Sequence, residues 1–191
     1  MNLTIPQASD YAEWSSLRKA SADYLKPFEP PPGADEYSAD RFRRRVKSQD
    51  VERARDQAYA FFIRNSAGAM VGGLTLGPVR RACIQSALLG TWIGRPYAGR
   101  GYAVRATRRA VNYAFGAREA GGLRLHRVEA CCLTTNDASI RGLEHLGFKR
   151  EGVAKAYWFI DGRWQDHFLY AVNQDEWVRP LQAQRAQLAA E

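Results

Sequence analysis

Residues 92–103 read Trp-Ile-Gly-Arg-Pro-Tyr-Ala-Gly-Arg-Gly-Tyr-Ala and lie between a β-rich run, 87–93, and a helical run, 104–118. The first backbone N–H groups of a helix have no partner inside the helix, and the helix dipole favours a negative charge beside them. Gly99 and Gly101 carry no side chain that would keep an anion away from those amides. The stretch therefore predicts a strand–loop–helix cradle for a pyrophosphate, which indicates the class of ligand.

Two common phosphate-binding loops do not fit this stretch. A P-loop requires a Lys followed by Ser or Thr after its last glycine, whereas Tyr102 and Ala103 follow Gly101. A dinucleotide-binding loop requires a third glycine and an acidic residue about 20 positions further on, and the next position here is Val104. The cradle is therefore of another kind.

The composition predicts a single domain in the cytoplasm. The 191 residues are 46% hydrophobic, which is enough for one sizeable core. No apolar run approaches the roughly 18 residues that span a membrane, and residues 1–6 lack the features of a signal peptide. We therefore expect no membrane partner. The three cysteines Cys83, Cys131 and Cys132 form no even disulfide framework, so we also expect a reduced protein.

The net charge of +8 includes one dense basic run, residues 41–47, which read Arg-Phe-Arg-Arg-Arg-Val-Lys within a predicted helix. One interpretation is a solvated helix face. The other is a weak electrostatic contact with the ribosome or RNA. No base-recognition motif accompanies the run, so such a contact would involve phosphates rather than sequence.

Hydrophobic periodicity and turn residues predict one α+β domain over residues 1–178 and a polar tail over 179–191. The proline-rich residues 26–33 predict a stiff extended loop that cannot be helical. Ser38 is expected to cap a helix, and Gly90 fits a β-bulge. The predicted strands are 3–6, 59–64, 70–76, 83–93, 127–133, 149–159 and 164–172, and the predicted helices are 10–26, 39–55, 104–118 and 135–146.

Separated motifs resemble those of the GNAT N-acetyltransferases. Residues 98–103 resemble the acyl-CoA loop of that family, except that Ala98 stands in place of Gln or Arg. Residues 136–152 resemble its Asn-x-x-Ser … Leu-Gly-Phe-x-x-Glu-Gly element. The resemblance implies the GNAT fold, with element order β-α-α-β-β-β-α-β-α-β-β around a mixed, mostly antiparallel central sheet.

Other segments resemble one branch of the family more narrowly. Residues 24–30, Tyr-Leu-Lys-Pro-Phe-Glu-Pro, are similar to a segment of the RimJ/RimL type, the N-terminal acetyltransferases of ribosomal proteins. Residues 126–128 and 156–167 resemble the RimJ branch in particular. This resemblance implies an enzyme that uses acetyl-CoA as cosubstrate and needs no metal.

The resemblance also implies where acetyl-CoA is held. Backbone amides of the cradle would bind its pyrophosphate, and here they belong to Gly99, Arg100, Gly101, Tyr102 and Ala103. The preceding strand would offer free backbone groups to the pantetheine arm, and here they belong to Thr91, Trp92 and Ile93. In the family that strand diverges from the next one, at about 128–132, to admit the thioester. Asn136 would place its side-chain amide against the cofactor arm, although an N-cap is its alternative role.

Ser139 is the candidate acid. It stands where related enzymes place a hydroxyl near the sulfur, and it could donate a hydrogen bond to the departing CoA thiolate. Many relatives use a tyrosine instead, and Leu143 occupies that place here. The alternative for Ser139 is an ordinary polar residue in a first helical turn.

The base stays open among Glu29, Asp166 and His167. An α-amine, with a pKa of about 7.7–8, is partly neutral at pH 7 and needs only a modest base. Successive strand residues face opposite ways, so only one of Asp166 and His167 can face the substrate. Each candidate also has a structural alternative as an ion-paired or hydrogen-bonded group.

The acceptor side is the least defined. Phe28 and Tyr157 are candidates for its wall, and the resemblance implies direct attack by the amine, without an acyl-enzyme. Cys131 and Cys132 are expected to be poor nucleophiles because a mid-strand position offers nothing that lowers a thiol pKa. The resemblance implies the N-terminus of a ribosomal protein or a basic peptide as acceptor. The alternatives are a small-molecule amine or aminoacyl conjugate, or a ribosome-assembly or RNA-contacting factor whose CoA binding is vestigial.

Overall fold

The computed structural model describes residues 1–177, and they confirm the predicted α+β fold and element order. The predicted tail, 179–191, lies outside the described residues. The strands are β1 (Asn2–Thr4), β2 (Tyr59–Arg64), β3 (Met70–Arg80), β4 (Ser86–Ile93), β5 (Arg127–Leu133), β6 (Lys149–Ile160) and β7 (Arg163–Asn173). The helices are α1 (Tyr11–Ala20), α2 (Ala22–Leu25), α3 (Ala39–Ala54), α4 (Tyr102–Phe115) and α5 (Asp137–His145).

The seven strands form one sheet in the order β1-β2-β3-β4-β5-β7-β6. All neighbours are antiparallel except β4 and β5, which run parallel. Pairing between these two ends at Leu89 and Ala130, although β4 continues to Ile93 and β5 to Leu133. The sheet therefore divides at its centre into two halves with a gap between them.

The two faces of the sheet carry separate apolar clusters. The larger cluster packs α4 and α5 against one face, and its members include Val111, Val128 and Tyr170. The smaller cluster packs α1 and α3 against the other face of the sheet half that contains β1–β4, around Trp14, Phe42 and Phe62. Because side chains alternate along a strand, Trp92 of β4 faces α1 whereas Leu89 faces α4. We call the side of the sheet that packs against α4 and α5 the α4 face, and the opposite side the α1 face.

Several predicted boundaries change for tertiary reasons. The predicted helix 10–26 breaks at Ser21, whose buried hydroxyl accepts a hydrogen bond from Arg95 N–H at 3.0 Å. The proline-rich segment was predicted to be non-helical, which is wrong for Lys26–Phe28, a 3-10 turn. The predicted start of β4 at residue 83 is wrong because residues 82 and 85 have positive φ and form a turn.

Gly90 does not form the predicted bulge. It pairs regularly with Thr75, and the irregularity between β3 and β4 lies instead between Leu76 and Val79. Ser38 caps α3 as predicted, because its hydroxyl accepts a hydrogen bond from Arg41 N–H at 3.2 Å. Within residues 1–177, no helix is both long enough and apolar enough to cross a membrane.

Candidate active site

The predicted cradle lies between the end of β4 and the start of α4. Gly99 and Gly101 both have φ of +71°, a left-handed conformation that L side chains rarely adopt. Gly101 is the N-cap of α4 and carries no capping side chain, so the first amides of the helix are not covered by its own residue. This backbone geometry suits an anion held by several N–H groups.

The gap between β4 and β5 opens directly before the cradle. On one side, Thr91, Trp92 and Ile93 pair with β3, and on the other side they pair with no described strand. The hydroxyl oxygen of Thr91 is buried and has no hydrogen-bond partner among the described residues. A buried polar atom without a partner is costly, so a polar ligand in the gap would satisfy it. The predicted divergence of the two strands is present.

The N-terminus of α5 follows β5, on the side of the gap across from the cradle, because β4 and β5 run parallel. Asn136 is its N-cap, and its side-chain oxygen accepts a hydrogen bond from Ser139 N–H at 3.1 Å. Its N-capping role is therefore present, while its amide nitrogen has no partner in the described chain. Ser139 is half-buried in the first turn, and Leu143 is buried in the large cluster.

A cleft of about 500 Å³ lies on the α1 face of β4. Its walls come from α1, α2, the proline-rich loop and Trp92. The two terminal guanidinium nitrogens of Arg18, Nη1 and Nη2, donate hydrogen bonds to the carboxylate of Glu29 at 3.0 and 2.6 Å. The same guanidinium lies 4.8 Å from the Trp92 ring centre. The Arg18 side chain is largely buried. Its contacts with Glu29 and Trp92 therefore fix the proline-rich loop to the sheet.

Asp166 has a structural partner set on β6. Its carboxylate accepts hydrogen bonds from Lys155 Nζ at 2.7 Å and Ala156 N–H at 2.9 Å, and these contacts hold the pKa of Asp166 below its usual value. Residues 155–157 form a bulge opposite Asp166, between the paired residues Ala154 and Trp158. Asp166 therefore holds the bulge in place, which makes it a weak candidate for the base.

His167 faces the opposite way and lies on the α1 face beside the gap. It pairs with Leu133, which like Trp92 is three residues beyond the last pair between β4 and β5. The ring is buried, and the Gln165 carbonyl oxygen lies 3.1 Å from Nδ1. That contact favours the tautomer with hydrogen on Nδ1, which leaves the lone pair of Nε2 able to accept a proton.

The two predicted acceptor aromatics have different surroundings. Tyr157 lies in the β6 bulge, with its ring centre 5.7 Å from that of His167 in an edge-to-face arrangement. The Trp158 ring centre lies 5.6 Å from that of His167 and 6.2 Å from that of Tyr157, so the three rings form one cluster. Phe28 is exposed, contacts Tyr24 and does not line the cleft. The structure thus brings Tyr157, but not Phe28, against another candidate site residue.

The surroundings of the two β5 cysteines favour the protonated thiol. Burial raises the pKa of the Cys131 thiol, and it raises the pKa of the Cys132 thiol to about 11. A thiol that stays protonated is a poor nucleophile. Direct transfer remains the prediction, and the environment of both cysteines is consistent with it.

The basic run in α3 is extensively ion-paired. Arg43 pairs with Asp40, Arg44 with Asp35, and Arg45 with Glu36. Such neighbouring carboxylates reduce the positive field that a nucleic acid would meet. Contact with RNA stays a prediction that this arrangement does not favour.

Sequence reasoning missed the side chains of Arg18 and Trp92. The periodicity of α1 indicated its apolar face, but a charged residue beside that face is usually solvent-exposed. The pairing of Arg18 with Glu29 joins segments eleven residues apart, and no local signal predicts it. Trp92 was assigned a backbone role alone, because an aromatic residue at a strand end carries no specific signal.

A sheet divided between two parallel strands, with a backbone cradle at the next helix, defines a CoA-dependent acyltransferase architecture. The sequence matches the acetyltransferase (GNAT) domain family over residues 1–149. The chain belongs to the GNAT family and is an N-acetyltransferase.

Three bacterial proteins illustrate the similarity. The probable N-acetyltransferase YjcK of Bacillus subtilis is 30% identical over 172 residues, which cover 89% of this chain and 92% of the relative. The solved Mycobacterium smegmatis RimJ in complex with CoA-disulfide has 31% identity and a TM-score of 0.84, covering 91% of this chain and 82% of that one. The ribosomal protein uS5-alanine N-acetyltransferase of Escherichia coli is 32% identical over 109 residues, 57% of this chain and 54% of the relative.

The site fits acetyl-CoA, the cosubstrate of the GNAT family. The positive-φ glycines leave the cradle amides accessible, and the unpartnered Thr91 hydroxyl lies where a polar arm would pass. When bound, acetyl-CoA supplies an activated acetyl group as a thioester. Within residues 1–177, no group of three or more His, Cys, Asp or Glu side chains is arranged to hold a metal ion.

Proposed function

We propose that this enzyme transfers acetyl to the α-amine of a protein N-terminus, with a ribosomal protein as the acceptor and the cytoplasm as its location. Two relatives support the acceptor, because one is named for ribosomal protein uS5 and another for RimJ. The single observation that carries the proposal is the cleft on the α1 face, which lies beside the gap between β4 and β5. A peptide entering there would approach the side of the gap opposite to α4.

The charge of the cleft favours a peptide over a polyamine. Three basic and three acidic side chains line it, and they are Arg18, Asp23, Lys26, Glu29, Glu36 and Arg45. Two of the carboxylates are already paired, Glu29 with Arg18 and Glu36 with Arg45. Asp23 is left without an ion pair among the described residues, which is enough for one ammonium group. A polycation would need a surplus of carboxylates.

Two side chains at the gap have chemical roles in this proposal. His167 accepts the proton that the attacking amine loses, at the Nε2 lone pair, directly or through one water. Ser139 donates a hydrogen bond to the leaving sulfur as negative charge develops there. Glu29 is not given the base role because its carboxylate is held by both guanidinium nitrogens of Arg18. Asp166 is not given the base role either, because its carboxylate already accepts hydrogen bonds from Lys155 and Ala156 of the β6 bulge.

A screen of acceptors tests the function. Purified enzyme with acetyl-CoA is offered peptides with free or blocked N-termini, peptides with internal lysine, and free amines including polyamines. Release of the CoA thiol is measured, and mass spectrometry locates the acetyl group. We expect acetylation of the α-amine in peptides with a small first residue, while internal lysines are spared because their ammonium, with a pKa of about 10.4, needs a stronger base.

Two other outcomes would replace the proposal. Acetylation of free amines alone would identify a small-molecule enzyme. No transfer to any amine, together with ribosome binding that weakens with salt, would identify an assembly factor. The charge-neutralising variants Arg43→Gln and Arg44→Gln separate these readings, because they should lower any ribosome binding and leave turnover on a short peptide unchanged.

A further inference from the structure

The side chain of Trp92 lies between two cavities and is one of three side chains that line both of them. The cleft of about 500 Å³ on the α1 face, where we propose that the acceptor binds, lies on one side of the Trp92 side chain. A second cavity of about 230 Å³ lies on the other side. The second cavity extends between α3 and the strands β2 and β3, reaching Gln49, Ala60 and Thr75. Both cavities are lined by Trp14, Arg45 and Trp92.

The indole of Trp92 is held from both sides. The guanidinium of Arg18 lies over one side of it, 4.8 Å from the ring centre. Gly73 pairs with Trp92 across the sheet, and a Cβ atom at Gly73 would overlap the indole nitrogen. The ring therefore lies directly on the backbone of β3, in a position that depends on the absence of a side chain there.

We propose that Trp92 limits the size of the first side chain of the acceptor. This inference rests on the proposed function. The indole is the wall of the cleft that belongs to β4, the strand that borders the gap, so the first residue of a peptide would meet it. A rigid aromatic wall fixed by Arg18 and Gly73 excludes a large side chain, and removing it would join the two cavities into one larger space.

The test compares two peptides that differ in the first residue, Ala or Leu, on Trp92→Leu and wild type. Joining the cavities should raise the Leu-to-Ala ratio of kcat/KM about 10-fold or more, the scale on which hydrophobic pockets discriminate between side chains. Affinity for acetyl-CoA, measured by calorimetry, should change little because the backbone of residue 92 is retained. An unchanged ratio in a folded variant overturns the inference.

A second variant should act in the opposite direction. Gly73→Ala adds one methyl group that pushes the indole toward the cleft, so kcat/KM should fall for Leu more than for Ala and the ratio should decrease. Gly72 is unsuitable because its added Cβ would overlap the backbone oxygen of Trp92. Gly152→Ala is the matched control, since its Cβ meets nothing within 4 Å, and it should leave the ratio unchanged.

These variants keep the inference separate from the proposed function. If Trp92→Leu does not fold, an unchanged ratio in Gly73→Ala overturns the inference. If the wild type acetylates free amines but neither peptide, the proposed acceptor is wrong. The same variants are then compared on a linear and a branched amine, and an unchanged preference overturns the size limit.

Discussion

On the α4 face, the proposed acetyl-CoA surface consists of backbone amides from one short stretch, 99–103. The proposed acceptor surface on the α1 face consists instead of side chains from α1, the proline-rich loop and β4. The first surface is contiguous in sequence and depends on two glycine conformations. The second joins Arg18 and Glu29 to Trp92, which is far from both in the chain. A backbone site is damaged by adding atoms, while a side-chain site is altered by removing them.

The largest expected effect is on the backbone site. Gly101→Glu places a side chain at φ +71° and a negative charge beside the pyrophosphate, so it should abolish acetyl-CoA binding measured by calorimetry. The control is Gly68→Glu, in the β2–β3 hairpin, where φ is +86° and an added Cβ meets nothing within 4 Å. It imposes a similar backbone strain without blocking the cradle, and it should bind acetyl-CoA normally. Near-native affinity of Gly101→Glu would contradict the cradle.

Removal of the proposed base is next in size. His167→Gln keeps a polar side chain but not the Nε2 lone pair that would accept the proton, so kcat should fall about 100- to 10,000-fold on a peptide acceptor. Single-turnover measurements check that the chemical step has slowed. His145→Gln, on the exposed surface of α5, is a control that should retain activity. Equal turnover in wild type and His167→Gln would leave the amine to be deprotonated by water.

Ser139→Ala should have a somewhat smaller effect, confined to the chemical step. Loss of a hydrogen bond to the developing thiolate should lower kcat about 10- to 1,000-fold, with little change in acetyl-CoA affinity. The N–H of Ser139 remains bonded to Asn136 in this variant, so α5 keeps its cap. A weaker acetyl-CoA complex with unchanged kcat would instead give Ser139 a role in binding.

The smallest effect is expected at Asp166. Asp166→Asn keeps an oxygen that can accept the hydrogen bond from Ala156 N–H and loses only the charge facing Lys155. Turnover should stay within about threefold of wild type, because exposed ion pairs contribute little. Asp166→Ala, which also removes the acceptor for Ala156, should reduce turnover further. If Asp166→Asn were as inactive as His167→Gln, the assignment of the base would have to be reversed.

Features that depend on neighbouring residues could be predicted from the sequence, whereas features that depend on contacts between distant residues could not. The bounds of β2 and β5 were predicted correctly, since their patterns depend on nearby residues. The strand–loop–helix geometry of residues 92–103 was predictable for the same reason, because its glycines and the helix start are adjacent, whereas its binding of a pyrophosphate stays a prediction. The break at Ser21 and the pairing of Arg18 with Glu29 could not be, because each requires a partner brought close by folding. The bulge held by Asp166 likewise needs two strands already in register.

The hydrogen bond from Arg95 N–H to the Ser21 hydroxyl connects the two proposed ligand-binding surfaces. Gly94 is buried, and an added Cβ there would overlap Leu17 of α1, so the turn before the cradle lies directly on the acceptor-side helices. Tightening the cradle should therefore steady α1, and by thermodynamic reciprocity an acceptor that steadies α1 should tighten the cradle. Such a connection makes the two ligands bind cooperatively, each raising the affinity for the other by the same factor. We expect CoA binding to slow amide hydrogen exchange in residues 17–21 if the two surfaces are coupled in this way.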